Sequence, residues 1–470
     1  MSSSESSLTP QEIAERCLAV SRADDAIVLV EQLSTVNLRW AGNTLTTNGE
    51  SAELGVTVIS VLGMGSGAAA GVLSSSRVGP GDLAELVARS EAAARESGPA
   101  PDAQPLVQGD APDLGWVLPP GRTSSGVLSR FAADLGEVLR SARADGVGRR
   151  ELFGYAEHEV ATTYLASSTG LRRRHELPVG RVELTGKTAD WSASAWAGAG
   201  TRDFTDIDVV AVDAEVAQGL TWAARKESAP AGRYDVVLPP GAVADLMLTV
   251  LESTGARDSA EGRSVFSAPG GGTRLGEQLS PLPVRMWSDP AHPGLETADF
   301  ETCSSSGDTT SVFDNGLPLT STDWLSGGQL SNLSGSRYAT GLAKLPARPI
   351  IGNLLMSADG AGGSTGDLVA GMADGLLLTC LWYIRDVDPQ TLLLTGLTRD
   401  GVYRVRGGEV VGAVTNFRWN DSPVDLLSRI DAVGATQRTI PREWADYFTL
   451  TALPALRVRG FNMSSVSEAL

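Results

Sequence analysis

Apolar positions along the chain switch between helical and strand spacing. Behind Thr9 as a cap and Pro10 in the first turn, Ile13, Cys17 and Val20 share one face, which predicts an opening helix. Strand patterns follow at Ala26–Glu31, Val36–Trp40, Gly55–Leu62 and Ala68–Ser74, with Asn48-Gly49 as a turn before the third. Helical spacing returns from Asp82 to Ala94, with Leu83, Leu86, Val87 and Ala94 on the apolar side. The stretch Ser97–Ser125 is rich in Pro, Gly, Asp and Ser and reads as an irregular connection. Then come a helix at Val127–Arg143, long alternating runs at Glu157–Ser167 and Arg181–Trp196, and a helix at Val212–Lys226.

Around Ser228–Arg233 the composition becomes that of a linker. Beyond it the pattern predicts a buried strand at Tyr234–Leu238 and an apolar helix at Val243–Leu251. A Gly-, Ser- and Thr-rich stretch follows from Ser264 to Pro349, with strand-like segments at Leu282–Trp287 and Leu317–Leu325. Pro349–Met356 and Gly375–Tyr383 read as strands, with a short helix at Asp367–Ala373 between them. Gly407-Gly408 between Val402–Arg406 and Glu409–Val414 is a hairpin signal. Pro423–Val433 reads as a helix, and Ala455–Val458 starts a last strand. No short repeat is evident. The expectation is an α+β protein: residues 1–228 forming an antiparallel sheet with helices on one face, and residues 229–470 a β-rich domain.

The 470 residues suffice for two or three domains, and 42% hydrophobic content allows real cores. A formal charge of −18 disfavours nucleic acid and anionic membrane surfaces as partners. Three cysteines, Cys17, Cys303 and Cys380, make no disulfide framework and point to a reducing compartment. Met1 to Ser7 are polar, without the pattern of a secretion signal, and the apolar run Leu376–Ile384 falls short of the roughly 20 residues a membrane span needs. A cytoplasmic location is the expectation.

Self-contained catalytic chemistry is hard to find. Gly63-Met64-Gly65-Ser66-Gly67 lies between strands and leads into no helix, so it reads as a turn and not a phosphate loop. Gly270-Gly271-Gly272 and Gly360–Gly366 are loops without a following Lys-Ser/Thr pair. His158-Glu159 and His175-Glu176 start like a zinc-peptidase motif, but each lacks the second histidine one turn later. His158, His175 and, in a loop before Pro293, His292 read as surface or hydrogen-bonding histidines. Cys380, in the apolar run Leu376–Trp382, reads as a small buried hydrophobe, with a nucleophile as the sharper alternative.

Three segments of the C-terminal half resemble the TldD/PmbA family. They are Pro349–Met356 with the following Asp374-Gly375-Leu376-Leu377-Leu378-Thr379, the hairpin Asp400–Val414, and the tail Pro454–Ser464. Their order and spacing carry the resemblance more than any one motif. In the family's TldD type, a helix after a "V-V-hydrophobic-x-P" strand bears HExxxH, and a cysteine near the C-terminus completes a metal site. Here the strand is Asp235–Pro239, and the motif positions fall at about Leu248, Thr249 and Ser253, with no cysteine in Ile440–Leu453. That pattern is similar to the TldE/PmbA type. The resemblance implies a noncatalytic, cavity-forming subunit with no cofactor of its own. It also implies a TldD-type HExxxH partner that holds the zinc, the pair acting on unfolded or modified peptides. A metal-free homodimer that binds peptides, or a pair acting on small-molecule amides or conjugates, are the alternatives. The family's cavity loop corresponds to Thr379–Asp388, so Cys380, Trp382, Tyr383, Arg385 and Asp386 are the candidate cavity residues. Either this loop packs at a subunit contact or it narrows a specialised pocket.

Overall fold

The computed structural model describes residues 8–65, 67–76, 79, 81–144 and 148–467. The polar start Met1–Ser7 and Ser66 of the glycine turn lie outside them. Residues 25–201 build a six-stranded antiparallel sheet. Its strands are β1 (Asp25–Ala41), β2 (Thr44–Met64), β3 (Gly67–Ser75), β4 (Arg150–Ser167), β5 (Arg172–Thr188) and β6 (Ser194–Thr201), ordered β3-β2-β1-β4-β5-β6. Among the described residues four α-helices accompany it: α1 (Pro10–Val20), α2 (Leu83–Ser97), α3 (Ser129–Arg143) and α4 (Val209–Ala223). Thr9 and Glu12 form the reciprocal cap of α1.

Val28, Val30, Val36, Leu38 and Trp40 of β1 alternate onto one sheet face, where α1 and α2 cover one end and α3 and α4 the other. At one end the opposite face carries Ile27 and Leu29, packed with Phe300 and Phe313 of the C-terminal half.

The structure corrects several boundaries. Ala26–Glu31 and Val36–Trp40 are one continuous strand, with the buried Ser34 keeping the core-facing register between them. The tight turn is Gly42-Asn43, both with positive φ, and Asn48-Gly49 lies within β2. The run Arg181–Trp196 spans a turn between β5 and β6, where Asp190 caps the bend through Thr188 and Ser192.

The second sheet has fourteen strands: β7 (Lys226–Glu227), β8 (Gly232–Leu238), β9 (Val284–Ser288), β10 (Thr322–Ser326), β11 (Gln329–Leu330), β12 (Leu354–Ala358), β13 (Asp374–Leu378), β14 (Leu381–Asp388), β15 (Leu393–Thr398), β16 (Val402–Arg406), β17 (Glu409–Val414), β18 (Phe417–Asp421), β19 (Ile430–Thr439) and β20 (Thr451–Val466). β20 is its hub, pairing with β8, β12, β18 and β19. Among the described residues five α-helices belong to this half: α5 (Pro240–Glu252), α6 (Ala256–Ala260), α7 (Arg337–Leu342), α8 (Thr365–Ala370) and α9 (Pro423–Leu427). The run read as one strand at Gly375–Tyr383 is broken at Thr379-Cys380, and β14 turns away from β13 to pair with β15. The helix expected over Pro423–Val433 stops after Leu427, and Val433 lies in β19. The chain is α+β, as the pattern predicted. Among the described residues no helix is long and apolar enough to cross a membrane.

Candidate functional site

Helix α5 is the centre of the C-terminal core. Every residue from Ala242 to Leu251 is buried, so the helix has no solvent face of its own there. One member of that run is charged. Asp245 is fully buried and accepts the backbone N–H groups of Arg442 (3.1 Å) and Glu443 (2.8 Å). The Trp444 indole donates to the Asp245 carbonyl at 3.2 Å. Burial pushes the Asp245 pKa up to about 8, against the two amide hydrogen bonds that lower it. The carboxyl therefore clips a strap, residues 438–446, across the middle of α5.

The same strap is bolted to the first sheet. Arg442 pairs with Glu183 of β5 at 3.0 Å, Arg438 pairs with Asp206 at 2.9 Å, and Asp446 meets Arg181. The Arg442 guanidinium also lies over Trp196 of β6 and over Trp382 of β14, 5.0 and 4.1 Å from the ring centroids. One arginine thus joins both sheets.

The strap separates two cavities. The smaller, about 390 Å³, lies at the C-terminal end of α5 and is lined by Thr249, Glu252, Ser253, Arg385, Asp386 and Trp444 among others. It brings two of the motif positions together with two of the candidate loop residues. Thr249, Ser253 and Arg385 have partners already, whereas Asp386 has none among the described residues. Thr249 donates to the Leu246 carbonyl at 2.7 Å, and Ser253 donates to the Thr249 carbonyl at 2.8 Å. Arg385 pairs with Glu443 at 3.0 Å. Partial withdrawal from water, and then the Asp386 carboxylate, raise the Glu252 pKa.

The residues present do not fit a catalytic zinc. Leu248 is 3% exposed and packs in the core, and the two hydroxyls are neutral and already used. Among the described residues no group of three or more His, Cys, Asp or Glu side chains could hold a metal ion.

The other loop candidates sit elsewhere. Cys380 is buried between β13 and β14, and burial pushes its thiol up, away from the reactive thiolate. Trp382 lies under Arg442, with its indole N–H unpartnered. Tyr383 is half exposed at φ 52°, in a bulge of β14 where its own N–H and that of Ile384 donate to the Glu443 carboxylate. Neither Cys380, Trp382 nor Tyr383 lines the small cavity. His158 is held by the Thr123 hydroxyl and the Arg202 carbonyl, as a hydrogen-bonding histidine. His175 departs from that expectation, since its Nε2 is buried without a partner and burial lowers its pKa.

The larger cavity, about 930 Å³, lies at the N-terminal end of α5. β6 and α4 form one wall, and Leu377, Thr379 and Tyr403 belong to the other. Sequence reasoning passed over Asp245, Arg442 and Tyr403. Only Asp245 carried a signal, as the one charge in the apolar run Pro240–Leu251.

Comparison with known proteins agrees with this architecture. Residues 231–465 match the family described as PmbA/TldA metallopeptidase C-terminal domain. No curated protein matches the sequence. The fold is similar to the crystal structure of TldE from Thermococcus kodakarensis, with TM-score 0.77 and 13% identity over 96% of this chain and 98% of that one. It is also similar to a proposed modulator of DNA gyrase from Thermotoga maritima, with TM-score 0.75 and 16% identity over 96% and 99%. A protein given the same description from Bacteroides thetaiotaomicron has TM-score 0.74 and 13% identity over 97% and 99%. At these identities the likeness is one of fold. The family match covers half of the chain, from β8 almost to the end of β20, and the chain belongs to the TldD/PmbA family.

Proposed function

We propose that this chain is the metal-free, cavity-forming subunit of a two-subunit zinc metallopeptidase acting on unfolded or modified peptides. The observation that carries the reading is the state of α5. At the positions where the family's catalytic type bears HExxxH, Leu248 belongs to the core, and Thr249 and Ser253 bond to their own helix. A metal-bound water needs lone-pair ligands and a general base, and neither can be assembled from these groups. Hydrolysis is therefore assigned to an HExxxH partner, while this subunit supplies walls that exclude bulk water and hold the peptide.

The test is co-expression with such a partner, followed by zinc analysis of each separated subunit and assay of the pair on an unfolded peptide. The expected result is stoichiometric zinc in the partner only, with turnover by the pair and none by this chain alone. Stoichiometric zinc in this chain, lost together with its own turnover on chelation, overturns the reading.

A further inference from the structure

The large cleft contains polar groups that no protein partner satisfies. Tyr403 is 2% exposed, yet its hydroxyl makes no hydrogen bond among the described residues, and the residue lines the cleft. Burial keeps the phenol protonated, and hence a donor. The hydroxyl lies over Gly219 of α4, where an added Cβ would come within 2.7 Å of it, and the Tyr403 ring meets Trp222 edge-on at 5.1 Å. Gly219 thus leaves the space into which the hydroxyl points. One helical turn earlier stands Glu215, which also lines the cleft and has no ion-pair or hydrogen-bond partner among the described residues. Residues four apart on a helix face one another across about 5–6 Å. A neutral donor and an unpaired carboxyl are therefore set about one turn apart along α4.

The rest of the lining decides what can bridge them. Its other carboxylates are engaged: Asp206 pairs with Arg438, and Asp208 caps α4 by accepting the Val210 and Ala211 N–H groups. No cation in the lining is left unpaired, so an anionic ligand would find no counter-charge. Ala195, Ala197 and Ala199 of β6 leave width, and Val369 and Leu377 opposite are apolar. The volume of about 930 Å³ is at the upper end of sites for small ligands.

We infer that this cleft binds the amino-terminal residues of an apolar peptide, with the ammonium group at Glu215 and a backbone carbonyl on the Tyr403 hydroxyl. The inference rests on the reading that peptides are the ligands. It places their capture in this chain, at the opposite end of α5 from the emptied motif positions.

The experiment uses the isolated full chain, without a partner, and titration calorimetry with leucyl-leucyl-leucinamide and its N-acetylated form. The free-amine peptide is expected to bind about two- to fivefold more tightly than the acetylated one, the scale of one solvent-exposed ion pair. Glu215→Gln, on the exposed side of α4, is expected to abolish that discrimination. Tyr403→Phe is expected to weaken both peptides by about three- to tenfold. Equal binding of the two peptides, no binding of either at millimolar concentration, or undiminished discrimination by E215Q would overturn the inference. Because the partner is absent, these outcomes are distinct from loss of turnover or misplaced zinc in the reconstituted pair, which would overturn the functional reading instead.

Discussion

The two ends of helix α5 have been treated differently by the sequence. At the C-terminal end, Thr249 and Ser253 close hydrogen bonds on their own helix and Arg385 is paired with Glu443, which leaves only the exposed carboxylates of Glu252 and Asp386 without a partner among the described residues. At the N-terminal end, a larger, more apolar cleft is faced by the solvent-exposed Glu215 and the buried Tyr403 hydroxyl, neither with a partner among the described residues, and only the hydroxyl is withdrawn from water. A polar group withdrawn from water with nothing to bond costs stability, typically about 1–3 kcal/mol. Such groups persist where a ligand can satisfy them, and satisfied groups mark places where the chain has closed its own chemistry. The contrast favours the N-terminal end of the helix over the end that carries Leu248, Thr249 and Ser253 as the place where a ligand is held.

Asp245 holds the strap that keeps the two cavities apart, so its removal is the largest perturbation. Asp245→Ala strands two buried N–H groups, of Arg442 and Glu443, and is expected to cost about 3–5 kcal/mol. Denaturant unfolding measures the loss, and amide exchange at Arg442 and Glu443 should accelerate with it. Retention of wild-type stability would show that the strap is held from the first sheet alone. Asp245→Asn keeps an acceptor but removes the titration. The folded-state pKa is raised from 3.8 to about 8, so the folded protein retains a proton that the unfolded chain releases. This group's contribution accordingly favours folding most below about pH 4, declines as pH rises to about 8, and is flat beyond. The stability difference between wild type and D245N should decline over that window, and a constant difference would contradict the raised pKa.

The next test places the HExxxH residue types at Leu248, Thr249 and Ser253. Leu248→His with Thr249→Glu and Ser253→His creates the HExxxH spacing but puts an imidazole into the apolar core. Burying that ring without a partner is expected to destabilise by about 2–4 kcal/mol, with no stoichiometric zinc by elemental analysis. A stable, zinc-loaded triple variant would mean that the C-terminal end of α5 still has the shape of a metal site.

A smaller effect is expected at the cleft. Gly219→Ala places a methyl 2.7 Å from the Tyr403 hydroxyl and 2.8 Å from the Ala195 Cβ. Overpacking of this kind costs about 1–3 kcal/mol, and thermal unfolding should register it. An unchanged melting temperature would show that α4 can move away from β16, and that the hydroxyl is not held over a fixed gap.

The sequence made the first sheet legible because its strands obey a period of two over long spans. The 17 residues of β1 place Val28, Val30, Val36, Leu38 and Trp40 on the helix-covered face. Its interruption at Ser34-Thr35 looked like a boundary only because the core-facing position there is a serine. Asn48-Gly49 misled for a different reason. It has the composition of a turn, but Gly42-Asn43 nearby takes the positive φ angles that a two-residue turn requires. In the C-terminal half, short strands and fourteen-fold pairing defeat local patterns, so the break at Thr379-Cys380 could not be anticipated. The site was legible in part. Arg385 and Asp386 do meet Thr249 and Ser253 at one cavity, while Cys380, Trp382 and Tyr383 face other surroundings. Arg442 could not be found from sequence, because its role comes from Glu183, Trp196 and Trp382, which lie in three separate strands far from it along the chain.

Arg385→Ala is the mildest break of the comparison. Its guanidinium is 62% exposed, and its partner Glu443 is also held by the N–H groups of Tyr383 and Ile384. Loss of one exposed arm should therefore change stability by less than about 1 kcal/mol. Any effect on the reconstituted pair would have to come from the cavity wall and not from unfolding. If the C-terminal cavity is only packing, turnover on an unfolded peptide stays at the wild-type level in R385A, and in Trp382→Ala once its stability loss is accounted for. If the cavity contacts the substrate, R385A raises KM while its melting temperature stays put. That separation is available at Arg385 and not at Asp245, because Arg385 stands at the cavity rim whereas Asp245 holds the strap in place.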